Sequence, residues 1–265
     1  MKTFITSFNK KLYSQYARNF LRSWIQNASS DINLIVCFEG DLNEIDWTEY
    51  SRSENIRIIS IESLDQAIFW KKFGHFHQAR GMKPVLSDQT SKTYQFRYNY
   101  RYDALRFSFK IFAFSKCIEL GLLQNDFAWM DADVVCLQPF DSDTLDEFFP
   151  DRDQVYSYLG RDLFPKPIAY SECGFIGFNH SSILTFDFLY EMKCHYLSGA
   201  IFMEKEWHDC YIFDVIRRKF EVSKKAKFKN LAFSLGEEEH PFMKTRLGLF
   251  FDHLKGPARK LQGHS

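Results

Sequence analysis

The sequence predicts an α/β fold, a central sheet flanked by helices. Residues 2–8 alternate and are β-rich, residues 10–28 repeat as an amphipathic helix, and 32–38 and 56–61 are continuous apolar runs. This β-α-β-β order opens a nucleotide-binding α/β fold, where ligands sit at the carboxyl ends of the strands. A third apolar run, Phe127-Ala128-Trp129-Met130, leads into Asp131-Ala132-Asp133 and is followed by Val134-Val135-Cys136-Leu137. A strand that delivers two carboxylates to its own end marks where the chemistry sits.

Each element has its own warrant. In the first helix Leu12, Tyr16, Phe20 and Trp24 follow i+4 steps, flanked by Tyr13, Leu21 and Ile25, which leaves Lys10, Lys11, Arg18 and Arg22 for water. The run 32–38 ends at Glu39-Gly40 and suits a buried parallel strand. Residues 64–100 hold Trp70, His75, His77 and several tyrosines with little strand character, and read as a lid or an inserted subdomain. His75 and His77 either chelate a metal in an extended segment or are polar residues of an aromatic loop. Residues 102–121 form a helix apolar on most sides, hence buried, yet Asp103, Arg106 and Lys110 share one of its faces. Either Asp103 and Arg106 pair structurally or the three charges face a ligand. Strands follow at 155–159 and 170–179, helices at 182–197 and 211–220, short strand candidates at 228–235 and 247–251, and then a basic tail.

Composition narrows the function. The 34 basic residues balance 34 acidic ones, so no global field draws the chain to nucleic acid. The 29 phenylalanines lack a polar handle, and most of this excess is expected in the core. Six cysteines form no CxxC pair and read as buried thiols of a reducing compartment. The N-terminus is too short and polar for a signal peptide and no window is long enough to span a bilayer, so a cytoplasmic protein is expected, with peripheral membrane contact left open. With no repeat and no linker, residues 1–265 read as one domain.

Asp131 and Asp133 carry the chemistry. Period-two geometry points both to one side unless the strand has already turned into a loop. Two such close carboxylates repel, and a divalent cation between them is the natural remedy. Oxygen ligands suit Mn²⁺ or Mg²⁺ better than Zn²⁺, and such an ion would hold a diphosphate. Asp141-Ser142-Asp143 and Asp151-Arg152-Asp153 repeat the spacing in ordinary acidic loops, so the apolar context is what separates the first pair. The competing reading is an acidic strand end that caps a neighbouring helix.

Four blocks converge: Trp129 to Asp133, Tyr170 to Asn179, Glu206-Trp207-His208-Asp209, and His253-Leu254-Lys255-Gly256-Pro257-Ala258-Arg259-Lys260. Their order and chemistry resemble the GT-A glycosyltransferases, nucleotide-sugar-dependent enzymes with a DxD motif after a central strand. The last block is similar to the H-x-x-G-x-x-K signature of the glycogenin and bacterial lipooligosaccharide galactosyltransferase family. That resemblance implies His253 as third metal ligand and Gly256 as the close backbone contact, with Arg259 on the Lys position and Lys255 and Lys260 nearby. The second block is similar to the family's Y-x-N-x-G strand, with Glu172 at the Asn position followed by Cys173, both expected at the donor sugar. Trp207-His208-Asp209 resembles the W-H-D-E stretch of the blood-group-type α-galactosyltransferases, with Cys210 at the Glu position. Asp103, Arg106 and Phe107 match the D-x-x-R-aromatic core of an S-D-x-x-R-Y segment, with Lys110 a turn further along, and Thr6-Ser7-Phe8 lies where such enzymes hold the nucleoside.

The resemblance implies a single GT-A domain with a mixed central sheet and a tail, 247–265, that binds the diphosphate and metal. It implies transfer of a sugar from a nucleotide diphosphate sugar, UDP-linked, to a glycan or glycolipid acceptor. Asp131, Asp133 and His253 would hold Mn²⁺ or Mg²⁺, with Ala132 between them in contact with the donor. Asp209 and Glu172 would orient the sugar, and His208 would contact sugar or acceptor. Both signatures come from retaining families; with Asp209 or Glu172 as a general base the outcome would be inversion. Two alternatives remain: a haloacid-dehalogenase-type phosphatase, whose h-h-h-D-x-D-x-[TV] loop also fits Trp129 to Val135, and a non-catalytic nucleotide-sugar-binding module.

Overall fold

The computed structural model describes residues 1–88, 93–161, 170–234 and 240–254. Strand β1 (Lys2–Phe8) sends alternate side chains to opposite faces of the sheet, Phe4 and Phe8 to one and Ile5 to the other. Helix α1 starts at Lys10–Leu12, capped by the Asn9 side chain, passes through a π-helical turn at Tyr13–Ala17 and continues as Arg18–Asn27. Of its apolar stripe Tyr16, Phe20, Leu21 and Trp24 are buried as the spacing predicts, Leu12 and Tyr13 are half-buried and Ile25 is exposed. Strands β2 (Ile32–Phe38) and β3 (Ile56–Ser60) run parallel to β1.

The segment from residue 64 to 100 contains a helix, α2 (Leu64–Phe73), and a hairpin of β4 (Met82–Asp88) and β5 (Thr93–Tyr98) that pairs with itself rather than with the main sheet. Helix α3 (Ala104–Glu119) begins after Asp103, whose side chain accepts the Arg106 backbone N–H. The charged pair expected there is therefore a helix cap. Strand β6 (Phe127–Met130) lies parallel to β1, and β7 (Val134–Cys136) leaves the sheet. Strands β8 (Tyr156–Leu159) and β9 (Glu172–Phe178) return, β9 antiparallel to both β6 and β8. Helices α4 (Ile183–Ser198) and α5 (Asp209–Lys224) follow, then β10 (Lys229–Asn230), much shorter than the strand expected at 228–235. The strand expected at 247–251 is instead a helical turn, Leu247–Phe250, leading into β11 (Phe251–His253). Gly248 lies in that turn, where backbone hydrogen bonds close locally before pairing with β7 begins.

The seven-stranded sheet has the order β10-β8-β9-β6-β1-β2-β3 and is mixed. Helices α2 to α5 pack on one face, and α1 with the β7/β11 ribbon on the other. Because β1, β2, β3 and β6 are parallel while β9 is reversed, the ends of the first four and the start of β9 meet along one edge. The phenylalanine excess is indeed core: Phe4, Phe8, Phe20, Phe38, Phe69, Phe112, Phe127 and Phe175 are among the largest fully buried side chains. Among the described residues the cysteines are free thiols, and no helix is long and apolar enough to cross a membrane.

Trp24 joins α1 to the sheet through edge contacts with Phe4, Phe20 and Phe140. Trp24→Ala should cost about 3–5 kcal/mol, read as a lower urea midpoint with an unchanged folded circular dichroism spectrum.

Candidate active site

The two aspartates do not share a pleat. Strand β6 ends at Met130, the Asp131 N–H still bonds the Gly174 carbonyl at 2.9 Å, and the chain then turns through Ala132 and Asp133 into β7. The turn brings both carboxylates toward His253. Its Nε2 lies 3.1 Å from Asp133 Oδ1 and 3.8 Å from Asp131 Oδ2. His253 reaches that place because β11 pairs antiparallel with β7, setting it opposite Val134, and the Leu254 N–H closes onto the Asp133 carbonyl at 2.8 Å. One ligand atom from each of Asp131, Asp133 and His253 falls within 4.8 Å of the others. Two hard carboxylates and a buried imidazole at that separation fit a Mn²⁺ or Mg²⁺ ion.

The opposite wall is the start of β9. Gly174 lies against His253 so closely that a Cβ there would come within 2.5 Å of the imidazole Cε1. Only glycine lets this strand run beneath the ring. Glu172, also buried, accepts the Gly174 N–H at 3.1 Å and points its carboxylate among three basic groups. His253 Nδ1 lies 3.7 Å from Oε1, while His240 Nε2 and Arg161 Nη2 lie 3.7 and 3.8 Å from Oε2.

Lys110 forms the floor. This buried ammonium lies 2.5 Å from Asp209 Oδ2 and 3.3 Å from Asp131 Oδ1, and donates to the Cys173 carbonyl at 2.7 Å. The Trp129 indole N–H donates to the same Asp131 oxygen at 2.6 Å. Burial alone would pull the Lys110 pKa down, but Asp131 and Asp209 outweigh it and hold it well above its ordinary value. Asp209 shows the reciprocal effect: burial raises it, Lys110 and His208 lower it further, and the net shift is downward. Both groups are therefore charged. Cys173, Asp209 and Cys210 also cluster, but the Lys110 ammonium already neutralises that carboxylate. Burial pushes the Cys173 thiol up, keeping it protonated.

The remaining expected residues divide. Thr6 and Phe8 are buried, Phe8 against Phe38 and Trp47, so their side chains are closed to a nucleoside, whereas the Ser7 hydroxyl donates to Glu39 Oε1 at 2.7 Å on the ligand edge. Asp103, besides capping α3, accepts from the Tyr98 hydroxyl, and exposed Arg106 also meets that hydroxyl. Trp207 packs against Tyr102 and Phe202. His208 is buried, bonds Glu206 Oε2 at 2.9 Å and stacks edge-on to Tyr170. Burial works to lower its pKa, while Cys210, Asp209 and Glu206 raise it to a net upward shift. His75 and His77 are exposed and lie against Phe76 and Phe96, in no metal-ligand group among the described residues. Lys255, Gly256, Arg259 and Lys260 lie outside the described residues.

Four neighbours escaped the sequence reading: Tyr16, Glu39, Gly174 and His240. Glu39 ends β2 beside Ser7, and burial pushes its carboxyl up to about 7 against the opposing pull of Ser7, Arg106 and Asn9. The Tyr16 phenol is raised by burial and by Asp133. Gly174 alone had a signal, as the glycine of the Y-x-N-x-G-like block; the others read as ordinary residues of a helix, a strand end and a loop.

No sequence-family model matches the chain, and no curated protein matches it in sequence. Solved structures do match in fold. An active-site mutant of LgtC superposes with a TM-score of 0.50 at 14% identity, covering 96% of this chain and 88% of that one. The apo structure of WbbM, a bifunctional glycosyltransferase, superposes at 0.50 and 12% identity over 99% of this chain, which spans only 44% of its length. The fold is therefore GT-A, a mixed central sheet with flanking helices matching over nearly the whole chain.

Gly174→Ala should displace His253 and weaken Mn²⁺ binding by roughly 10–100-fold, measured by calorimetry on folded protein. Glu39 holds its proton to about pH 7 when folded, against an ordinary value of 4.5. Between those values the folded chain binds more protons than the unfolded one, so stability falls as pH rises. Glu39→Gln should lose that decline and be more stable than the parent at pH 8, with no such gain at pH 4, in urea titrations at both.

Proposed function

We propose that this GT-A-fold chain is a metal-dependent glycosyltransferase that takes a nucleotide diphosphate sugar, UDP-linked, as donor and a glycan or glycolipid as acceptor. The observation that carries the reading is the convergence of Asp131, Asp133 and His253 at the carboxyl end of β6. Two segments far apart in sequence, the turn after β6 and β11, meet there with the donor set that a Mn²⁺ or Mg²⁺ diphosphate site needs. When bound, the ion would supply positive charge against the diphosphate of the departing nucleotide.

The chain's own groups do the rest. Lys110 and Trp129 fix the Asp131 carboxylate in one orientation, and Gly174 leaves room for the His253 ring. Ser7 and Glu39 end their strands where the nucleoside would lie. Glu172, nearer the cluster than Asp209, is our assignment for the carboxylate facing the donor sugar, where it stabilises positive character at the anomeric carbon. Asp209 is committed to Lys110 and acts through it, holding the ammonium between the two carboxylates. His208, ordered by Glu206, borders the sugar or acceptor side. Lys255, Gly256 and Arg259 complete the proposed diphosphate contacts, Ala132 and Cys173 the donor contacts, and Trp207 supports the His208 loop. Retention follows from the family signatures and is part of the proposal.

The haloacid-dehalogenase reading is not supported: the acidic motif follows a strand deep in the chain, beside the antiparallel β9. A binding module without turnover would keep the nucleotide site and release no sugar.

The test is a donor screen for released nucleotide, with and without Mn²⁺, beside calorimetry with UDP. Metal-dependent release from one donor is expected, and the Asp131→Ala/Asp133→Ala double variant should lower it at least about 100-fold. Lack of any UDP or GDP binding in the presence of Mn²⁺ would overturn the reading.

A further inference from the structure

The β4/β5 hairpin takes no part in the site and pairs with nothing but itself. Its register sorts its side chains into two unlike faces, because directly opposed residues of an antiparallel pair share a face and successive residues alternate. Met82 opposes Tyr98 and Pro84 opposes Phe96, with Tyr94 two residues further along, so one face is apolar and aromatic. Lys83 opposes Arg97 and Val85 opposes Gln95 on the other. The aromatic face is open to solvent, with Tyr94 64%, Phe96 50% and Tyr98 52% exposed. Among the described residues its ties to the rest of the chain include the Tyr98 hydroxyl to Asp103 and Arg106, the His77 ring against Phe96 and Lys83 over the Tyr102 ring.

Charge selects the occupant. Residues 71–102 carry seven Lys and Arg against one Asp in a chain whose net charge is zero. Two of those cations, Lys83 and Arg97, lie directly opposite each other, a like-charge pairing that a nearby anion would favour, although Lys83 Nζ also sits 3.1 Å from the centroid of the Tyr102 ring. Lys71, Lys72 and Arg80 are exposed nearby, and Phe76 adds a further exposed ring. A second copy of the chain would bring the same positive charge and be repelled. A glycan would need several hydrogen-bonding side chains between the rings, and on this face Met82, Pro84 and Phe96 offer none while the Tyr98 hydroxyl is engaged by Asp103 and Arg106, which leaves the Tyr94 hydroxyl. A narrow hairpin with an aromatic face backed by a basic one, in a segment rich in Lys and Arg, suits the boundary between acyl chains and anionic headgroups.

We propose that the β4/β5 hairpin docks the protein on an anionic phospholipid bilayer, with Tyr94 and Phe96 entering the interface and the surrounding cations facing the headgroups. The interaction is independent of the donor site and stands whether or not the chain transfers a sugar.

Co-sedimentation of the full chain with vesicles tests it. Binding is expected to vesicles of phosphatidylcholine mixed with phosphatidylglycerol and not to phosphatidylcholine alone, and it should weaken as salt is raised. Tyr94→Ser/Phe96→Ser and Lys83→Glu/Arg97→Glu should each lower partitioning by roughly tenfold while the thermal melt and UDP binding stay as in the parent. Absence of binding to anionic vesicles, or binding that neither variant alters, would overturn the proposal. So would retention on a soluble anionic polysaccharide without vesicle binding, or a concentration-dependent dimer that Phe96→Ser abolishes.

Discussion

The buried ammonium of Lys110, held between Asp131 and Asp209, is the interaction on which the rest of the site depends. The buried Asp209 carboxylate alone, cut off from water, would take up a proton or leave the core. Lys110 keeps it ionised, and Asp131, which the same ammonium contacts, is held by a second donor, the Trp129 indole, to the same oxygen. The charge balance at this edge thus ties α3, which carries Lys110, to α5, which carries Asp209, and to the turn after β6. Removing the ammonium would leave buried Asp209 and half-buried Asp131 without their shared cation, beside Asp133 and Glu172.

The sheet provides the geometry for this balance. Reversal of β9 places its first residues, Glu172 and Gly174, at the same edge as the last residues of β1, β2 and β6. An all-parallel sheet would have put the start of that strand at the far side. The β7/β11 ribbon then brings His253 back over Gly174 from a distant part of the chain. Behind both, the aromatic core is divided by the alternation of β1, with Phe4 and Phe8 under α1 and Ile5 under α3. The rigid packing of large rings on both faces keeps the edge from collapsing when its charges are desolvated.

Much of this was legible in the residues. The i+4 stripe of α1, the apolar runs of β2, β3 and β6, and the carboxylates at Asp131 and Asp133 are local signals that survive folding unchanged, because burial of an apolar face decides each of them. Other features were not. Asp103 and Arg106 share a helix face and read either as an ion pair or as ligand-facing charges, yet the Asp103 carboxylate accepts the backbone N–H of the first turn. Residues 247–250 read as a strand and form a helical turn, since the hydrogen-bond partner that would make them a strand begins to be available only at Phe251. Glu39 and His240 carry no motif at all; their importance comes from what lies beside them.

Residue order alone carries the class of fold, the acidic pair at the end of a buried central strand and the types of ligand that could surround it. These rest on periodicity and on the chemistry of single residues, which a chain carries with it unfolded. Only the tertiary structure decided that Asp131 and Asp133 converge through a turn instead of a pleat, that Lys110 neutralises Asp209, and that Gly174 must lack a side chain. Each of these depends on distances between segments separated by tens of residues or more, and so on how strands pair and helices pack, which no local pattern encodes.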